Sequence, residues 1–184
     1  MNDFKEYTMI ESFYRGRTAK RSGVPLINHI DDGLTVMRAI GASEYAQRAF
    51  ALHPLFQSDA DLVDYGIHLA STVEAEVLLL VMEYRSQANA WLSDKVMFID
   101  SGGRPMIAGS PTPGPLQEVK DMLIADKVQN YKDFLEFHKA THLRSAELDL
   151  YFNMWLGVLG ITLMKFQELC NVIETQKEKG REAS

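Results

Sequence analysis

Cysteine and long apolar runs are scarce in this chain. Cys170 is the only cysteine among 184 residues, so neither a disulfide framework nor a cysteine-based zinc site can form within one chain. No apolar run approaches the roughly 18 residues that a membrane-spanning helix needs, and the first residues carry no apolar signal core. We therefore expect a soluble, cytoplasmic protein without a membrane partner.

An excess of positive charge is also missing. Lys and Arg number 19 against 25 Asp and Glu, which gives a formal net charge of -6. General nucleic-acid binding requires a basic footprint, and this balance disfavours it. A local basic pocket for a small phosphorylated ligand remains compatible with the composition. The sequence leaves open whether the chain forms a homo-oligomer.

Most segments show the apolar periodicity of helices. Ser43 is suited to cap a helix that runs through His53, because its hydroxyl can accept from a free backbone N–H. The helix predicted over residues 73–92 is apolar on most faces and therefore central. Further helices are predicted over residues 4–14, 32–40, 61–69, 116–130, 131–141 and 144–174.

Residues 96–108 depart from the helical pattern. Two short apolar runs, 96–99 and 105–108, flank Ser101-Gly102-Gly103, an arrangement typical of a small β-hairpin. The next segment, 109–115, holds three prolines and two glycines, which predicts a loop.

The domain organisation follows from these elements. We predict an all-α fold in which residues 1–175 form one helical domain with the hairpin as an insertion. The hydrophobic content of 46% suits a single globular domain with a buried core. Residues 176–184 are polar and are predicted to fray as a C-terminal tail.

Three segments carry the most specific pattern in the chain. Residues 20–29 read Lys-Arg-Ser-Gly-Val-Pro-Leu-Ile-Asn-His, residues 51–54 read Ala-Leu-His-Pro, and residues 125–130 read Ala-Asp-Lys-Val-Gln-Asn. In this order and spacing they resemble the HD-superfamily phosphohydrolases of the RelA/SpoT kind, which hydrolyse the alarmone ppGpp. The resemblance extends from about Ser12 to Gly160 and implies an HD-domain-like helical bundle.

The resemblance implies a set of metal ligands. In the family a Gly-x-Pro-Tyr-Ile-x-His run supplies the first histidine, matched here by Gly23, Pro25 and His29. His53 matches the second histidine, and Asp126 matches the carboxylate of the distal Ala-Asp-Arg-x-x-Asn run. Imidazole and carboxylate suit a divalent transition ion, and Mn²⁺ is expected first, with Fe²⁺, Zn²⁺ or Ni²⁺ as alternatives. Such an ion lowers the pKa of bound water to roughly 7 and polarises a phosphoryl oxygen.

Two departures from the family pattern bear on catalysis. Where the family has an Asp directly after the second histidine, this chain has Pro54, which offers neither charge nor a donor atom. The family's Glu-Asp pair, which handles the attacking water, appears here as Gln57-Ser58. Gln57 can orient a water molecule but cannot take its proton, and Asn130 is expected to support the site. A degenerate site without metal is the alternative.

The resemblance also indicates substrate-binding residues. Lys20 lies where the family has a basic residue that packs against the nucleobase. Lys139 and Arg144 fall in a region that lies near the phosphate end of the substrate in the family; a solvated helix face is the alternative for both. His138 and His142 share one helix face, with Lys139 and Arg144 near, and have no matched partner in the pattern.

A polar stripe on the apolar helix 73–92 adds two candidates. Arg85 and Asn89 are one turn apart, so both can point into one pocket and contact an anionic ligand. Buried polar groups must find partners, so an ion pair of Arg85 with Glu83, Asp126 or another neighbour is the competing interpretation.

The sequence therefore predicts a divergent metal-dependent phosphohydrolase that acts on a nucleotide, either an alarmone such as ppGpp or a deoxynucleotide. The competing hypothesis is a catalytically degenerate HD-fold protein that sequesters a nucleotide signal or docks on a host protein. The run Leu-His-Pro-Leu-x-Gln over residues 52–57 also resembles HD-related proteins of tailed bacteriophages. That resemblance implies a protein working in the cytoplasm of an infected host.

Overall fold

Helices dominate the structure, a computed structural model that describes residues 4–20, 22–90, 97–99, 101, 105–107, 111, 113–114 and 116–182. Within these residues, two π-helical turns lie among the α-helices, at Leu62–Gly66 and Phe134–His138. The nine α-helices within the described ranges are α1 (Lys5–Tyr14), α2 (Ile27–Ala39), α3 (Glu44–Gln57), α4 (Asp59–Asp61), α5 (Ile67–Ala70), α6 (Ala75–Ala90), α7 (Gln117–Asp133), α8 (Ser145–Val158) and α9 (Leu163–Glu182).

The all-α prediction is confirmed by this helix content. Two three-residue strands, β1 (Met97–Ile99) and β2 (Pro105–Ile107), pair antiparallel, with Phe98 opposite Met106. The turn that would join them as the predicted hairpin, residues 102–104, lies outside the described residues.

Helix α3 lies at the centre of the bundle and packs against α1, α2, α6 and α7. Ser43 caps it as predicted, since its hydroxyl accepts from the Ala46 N–H at 3.2 Å. The helix does not end at His53, as the sequence suggested, but continues through Pro54 to Gln57. A proline inside a helix costs about 3 kcal/mol, and the burial of α3 by four neighbouring helices outweighs that cost.

A buried ion-pair network fastens α1 to α3. The Arg48 guanidinium donates to both carboxylate oxygens of Glu6, at 3.1 and 2.9 Å, and Glu6 is fully buried. The same guanidinium also donates to Glu74, just before α6, at 3.2 and 2.9 Å. Because Glu6 has no access to water, these charge-assisted bonds satisfy a carboxylate that would otherwise be strongly destabilising.

Gly33 allows α2 to approach α3 closely. A Cβ atom at position 33 would lie 2.2 Å from Cζ of Phe50, so only glycine leaves room for the ring. His29 lies one turn before Gly33 on α2, and His53 lies one turn after Phe50 on α3. The close crossing therefore brings the two histidines together, with ring centroids 5.1 Å apart.

The segment ahead of α2 folds back on itself. Thr18 and Pro25 form an isolated antiparallel bridge, and the Ala19 N–H donates to the Val24 carbonyl at 2.8 Å. Gly23 has φ of +71°, a left-handed conformation that glycine adopts at little cost. Helix α2 starts directly after this turn, at Ile27 rather than at the predicted residue 32, so His29 lies in its first turn.

Helix α7 is longer than predicted. The expected break between residues 130 and 131 is absent, because α7 runs to Asp133 and continues as the π-helical turn Phe134–His138. Asp126, Asn130 and Asp133 are therefore separated by one and two turns on one uninterrupted helix, which places them on the same face.

The single helix predicted over residues 144–174 is two helices, α8 and α9. Gly160 has φ of +74°, and the Ile161 N–H donates to the Leu156 carbonyl at 2.8 Å, so the chain turns sharply and the two helices are bent by 101°. Helix α9 continues to Glu182; residues 176–182 are helical rather than frayed.

Within the part of the chain that the structure describes, no single helix is long and apolar enough to cross a bilayer. Helices α8 and α9 reach the length and apolar composition of a membrane span only when they are counted together, and they are bent by 101° relative to each other.

We expect Gly33→Ala to lower the free energy of unfolding by about 1–3 kcal/mol, because the Phe50 ring must leave its packed position. Gly157→Ala is the matched control, since it adds a methyl group to α8 where a Cβ would meet no atom within 4 Å. That variant should be neutral or slightly more stable. Urea unfolding measures both; a Gly33→Ala protein at least as stable as the parent would contradict the close-crossing interpretation.

Candidate metal centre

Three candidate ligands from three helices converge at one point: His29 of α2, His53 of α3 and Asp126 of α7. Their ligand atoms all lie within 4.8 Å of one another. His29 Nε2 lies 3.1 Å from His53 Nε2 and 3.7 Å from Asp126 Oδ1. The three residues that the sequence predicts as metal ligands thus share one site, although they are far apart in the chain.

The ring of His29 is oriented through its other nitrogen. Nδ1 lies 2.5 Å from Gln129 Oε1, and Gln129 Nε2 donates to Asp133 Oδ2 at 2.6 Å. An ionised carboxylate only accepts, so this second bond determines which end of the Gln129 amide faces His29. Oε1 must then accept from Nδ1–H, which leaves Nε2 of the neutral ring with a bare lone pair.

The ring of His53 is oriented by its own helix. Its Nδ1 lies 2.6 Å from the Phe50 carbonyl oxygen, which can only accept, so Nδ1 carries the proton. Burial lowers the pKa of His53 to about 3, and His29 adds to the effect. The ring is therefore neutral near pH 7, and its Nε2 is also a bare lone pair.

Two bare nitrogens that face each other at 3.1 Å repel unless an electropositive group, a shared proton or a cation, lies between them. The carboxylate of Asp126 on the third side adds negative charge to the same point. Metal-ligating histidines commonly donate the second ring nitrogen to a protein acceptor, which fixes the tautomer. The donor set of two imidazoles and one carboxylate therefore fits a divalent transition ion.

The Asp126 carboxylate is held on both oxygens. Asn130 Nδ2 donates to Oδ1 at 2.7 Å, and Lys127 Nζ lies 2.7 Å from Oδ2. Burial raises the pKa of Asp126, but the Lys127 ammonium, together with the two facing histidines in their protonated forms, outweighs burial and holds the pKa at about 2. Lys127 is itself only 5% exposed and donates to the Tyr151 hydroxyl at 3.3 Å. The ligand carboxylate is therefore ionised at every pH at which the protein would function.

The three ligands line a cavity of about 540 Å³, a volume suited to a small-molecule ligand. The turn ahead of α2, the C-terminal half of α3, and α7 with its π-helical turn form its walls. Part of the lining is aromatic and could stack on a planar ring such as a nucleobase; these residues are Tyr14, Phe134, Tyr151 and Phe152.

The two predicted catalytic residues, Gln57 and Asn130, both line this cavity. Lys20 is exposed and does not line it, although its neighbours Ala19 and Ser22 do. Lys20 therefore lies near the cavity rim, and its predicted contact with a nucleobase remains a prediction.

The other four predicted substrate-binding residues lie outside the lining of the cavity. Arg85 forms an ion pair with Asp59. This agrees with the competing interpretation of Arg85 as part of an ion pair, although its partner is neither Glu83 nor Asp126. Each of the other three residues contacts another part of the protein. Asn89 Nδ2 donates to the Gln57 carbonyl at 2.9 Å. Lys139 Nζ pairs with Asp149 Oδ1 at 3.0 Å, and Arg144 pairs with Glu147.

Sequence reasoning missed Gln129, Asp133 and Lys127. Gln129 is 1% exposed and has a direct hydrogen bond to a candidate ligand. Its position, three residues after Asp126 and four before Asp133 on one helix, is the signal that could have revealed it. His138 and His142 also line the cavity, although the sequence pattern assigned them no role.

The chain matches no family model, no curated protein and no solved structure. The resemblance to HD-type phosphohydrolases rests on the quoted sequence motifs and stays a prediction.

We expect Gln129→Leu to weaken Mn²⁺ or Zn²⁺ binding by roughly 10–100-fold, the usual cost of losing the protein partner of a metal-ligating histidine. Calorimetric titration measures the affinity. Gln167→Leu is the matched control, because that exposed amide on α9 donates to Asn171 Oδ1 at 3.2 Å and does not line the cavity. Equal affinities for Gln129→Leu and the parent would show that Gln129 does not orient His29.

The lowered pKa of His53 predicts a pH dependence of stability in the metal-free protein. As the pH falls below roughly 6.5, the unfolded chain binds a proton at His53 that the folded chain excludes until about pH 3. The free energy of unfolding should therefore fall with pH across this window, by up to about 1.4 kcal/mol per pH unit from this group.

His53→Gln should remove this part of the slope, whereas His68→Gln, at an exposed ring, should leave it unchanged. Urea unfolding in a chelator at several pH values provides the measurement. Parallel pH profiles for His53→Gln and the parent would mean that His53 is not a buried neutral imidazole.

Proposed function

We propose that this chain is a divergent HD-type, metal-dependent phosphohydrolase acting on a nucleotide phosphate. The observation that carries the proposal is the convergence of His29, His53 and Asp126, with both Nε2 atoms left as lone pairs by their hydrogen bonds. An HD-like arrangement of the bundle is part of the proposal; the ligands come from α2, α3 and α7 in the order that the family pattern implies.

A divalent ion, Mn²⁺ first among the candidates, would be held by these three side chains. When bound, it would supply a water molecule of lowered pKa and polarise the phosphoryl oxygen of the substrate. The protein's own contribution is a carboxylate kept ionised by Lys127 and two imidazoles oriented by their Nδ1 hydrogen bonds. Asn130 adds orientation, because it donates to the Asp126 oxygen that faces His29.

The attacking water must lose a proton to a base, and Gln57 cannot act as that base. Gln57 lines the cavity and can orient the attacking water by hydrogen bonding, but an amide does not accept its proton. Of the described residues that line the cavity, Asp133 offers the one carboxylate besides Asp126. Asp133 is therefore the candidate to take over the role of the family's Glu-Asp pair.

The cavity also limits the substrate class. Among the described lining residues, Lys127 is the one lysine or arginine, and it is engaged by Asp126 at 2.7 Å. A highly charged alarmone such as ppGpp would find little neutralising charge in these walls. A nucleotide with fewer phosphates, including a deoxynucleotide, fits the aromatic and mildly polar lining better.

One observation favours the competing function, a degenerate HD-fold protein that sequesters a nucleotide or docks on a host protein. Pro54 and Gln57 both line the cavity at positions where the family has a metal carboxylate and a water-handling acid. Binding would survive these changes, because the aromatic walls and the His29–His53–Asp126 set are retained, whereas turnover would be slowed.

Incubation with a panel of ppGpp, deoxynucleoside triphosphates and nucleoside monophosphates in the presence of Mn²⁺ tests the proposal. We expect turnover of at least one nucleotide, with monophosphates ahead of ppGpp, and its loss in His29→Gln. That variant is suited to the test because His29 is partly exposed, with 20% side-chain exposure, so the fold should tolerate it. A nucleotide that binds tightly and is recovered unchanged would support the sequestering function instead.

A further inference from the structure

The proline in the middle of α3 leaves one backbone acceptor without its usual donor. In a continuous α-helix the N–H of residue 54 donates to the carbonyl of residue 50. Pro54 has no N–H to give, yet α3 continues for another turn to Gln57. The Phe50 carbonyl, in the buried interior of the bundle, therefore lacks the α-helical donor that residue 54 would otherwise supply.

The imidazole of His53 takes the place of the missing amide. Its Nδ1 lies 2.6 Å from the Phe50 oxygen, and the ring is only 2% exposed. A buried carbonyl without a donor would be destabilising, so this side-chain bond satisfies the acceptor that Pro54 leaves open. His53 thus donates to the same Phe50 oxygen that an amide at position 54 would otherwise bond.

We propose that Pro54 is a positioning residue: by withholding an amide from the Phe50 carbonyl, it reserves that oxygen for His53 and fixes the ring as the Nδ1–H tautomer. Nε2 is then left bare toward His29 and Asp126. The inference depends on the proposed metal centre for its functional meaning, but the hydrogen-bond exchange itself does not. Pro54 thus stands where the family has a metal-binding Asp, and it also orients the neighbouring candidate ligand, His53.

Packing around His53 explains why the tautomer, rather than the position of the ring, responds to residue 54. The ring lies between Phe50 and Tyr84, with centroids 4.8 and 4.9 Å away. These neighbours hold the ring plane whether or not the carbonyl is shared. If an amide at position 54 competes for the Phe50 oxygen, the proton can move to Nε2, where Asp126 and His29 accept it.

Two variants separate the missing N–H from the proline ring. Pro54→Ala restores the amide, whereas replacement of Pro54 by L-lactic acid gives the same side chain with an ester oxygen in place of the N–H. Nitrogen NMR of the histidine rings in the metal-free proteins reports the tautomer directly. Zn²⁺ titration of the same samples reports the affinity, and circular dichroism confirms that both variants keep the helical fold.

We expect the parent and the ester variant to show His53 as the Nδ1–H tautomer. Pro54→Ala should show a measurable Nε2–H fraction, with Zn²⁺ binding about 10-fold or more weaker, the scale of losing a partner that orients a ligand. Identical ring-nitrogen signals in the alanine and ester variants would overturn the proposal. A parent that binds no metal would refute the metal centre alone, since the ring-nitrogen comparison still decides the role of Pro54.

Discussion

The site depends on one contact, the 3.1 Å approach of His29 Nε2 to His53 Nε2. In each neutral ring the Nδ1–H is used elsewhere, so both Nε2 atoms are left as acceptors. Two acceptors at this distance repel each other unless a proton or a cation lies between them. Gly33 lets α2 lie against the Phe50 ring of α3, and this crossing sets the distance between the two imidazoles. The packing of the bundle thus holds two candidate ligands close enough for one ion.

Electrostatics complete the arrangement on the third side. Asp126 and Lys127 are 3% and 5% exposed, and a buried pair of this kind recovers its desolvation cost only when further hydrogen bonds satisfy both groups. Asn130 and Tyr151 provide those bonds. Stability alone is a weak reason to keep such a pair. Its benefit is a carboxylate that stays ionised in the interior, beside two imidazoles.

Apolar periodicity predicted most of the helices, the Ser43 hydroxyl predicted the start of α3, and the spaced motifs predicted that His29, His53 and Asp126 belong together. The periodicity did not predict the start of α2 at Ile27 or the break at Gly160. Other features that the sequence did not reveal depend on tertiary contacts. Pro54 looked like the end of a helix because helix propensity ignores the four packed neighbours of α3. The partner of Arg85, Asp59, comes close to it only in the folded bundle. The role of Gln129 requires knowing which end of its amide faces Asp133.

Our central claim is that residues from α2, α3 and α7 together hold one cation. Crystals grown with Zn²⁺ and measured on both sides of the zinc absorption edge test it most directly. The account predicts an anomalous peak about 2.0–2.1 Å from Nε2 of both His29 and His53, the usual zinc–imidazole distance, with Asp126 as the third ligand. Anomalous maps without a peak at these three side chains, from protein saturated with Zn²⁺, would contradict it.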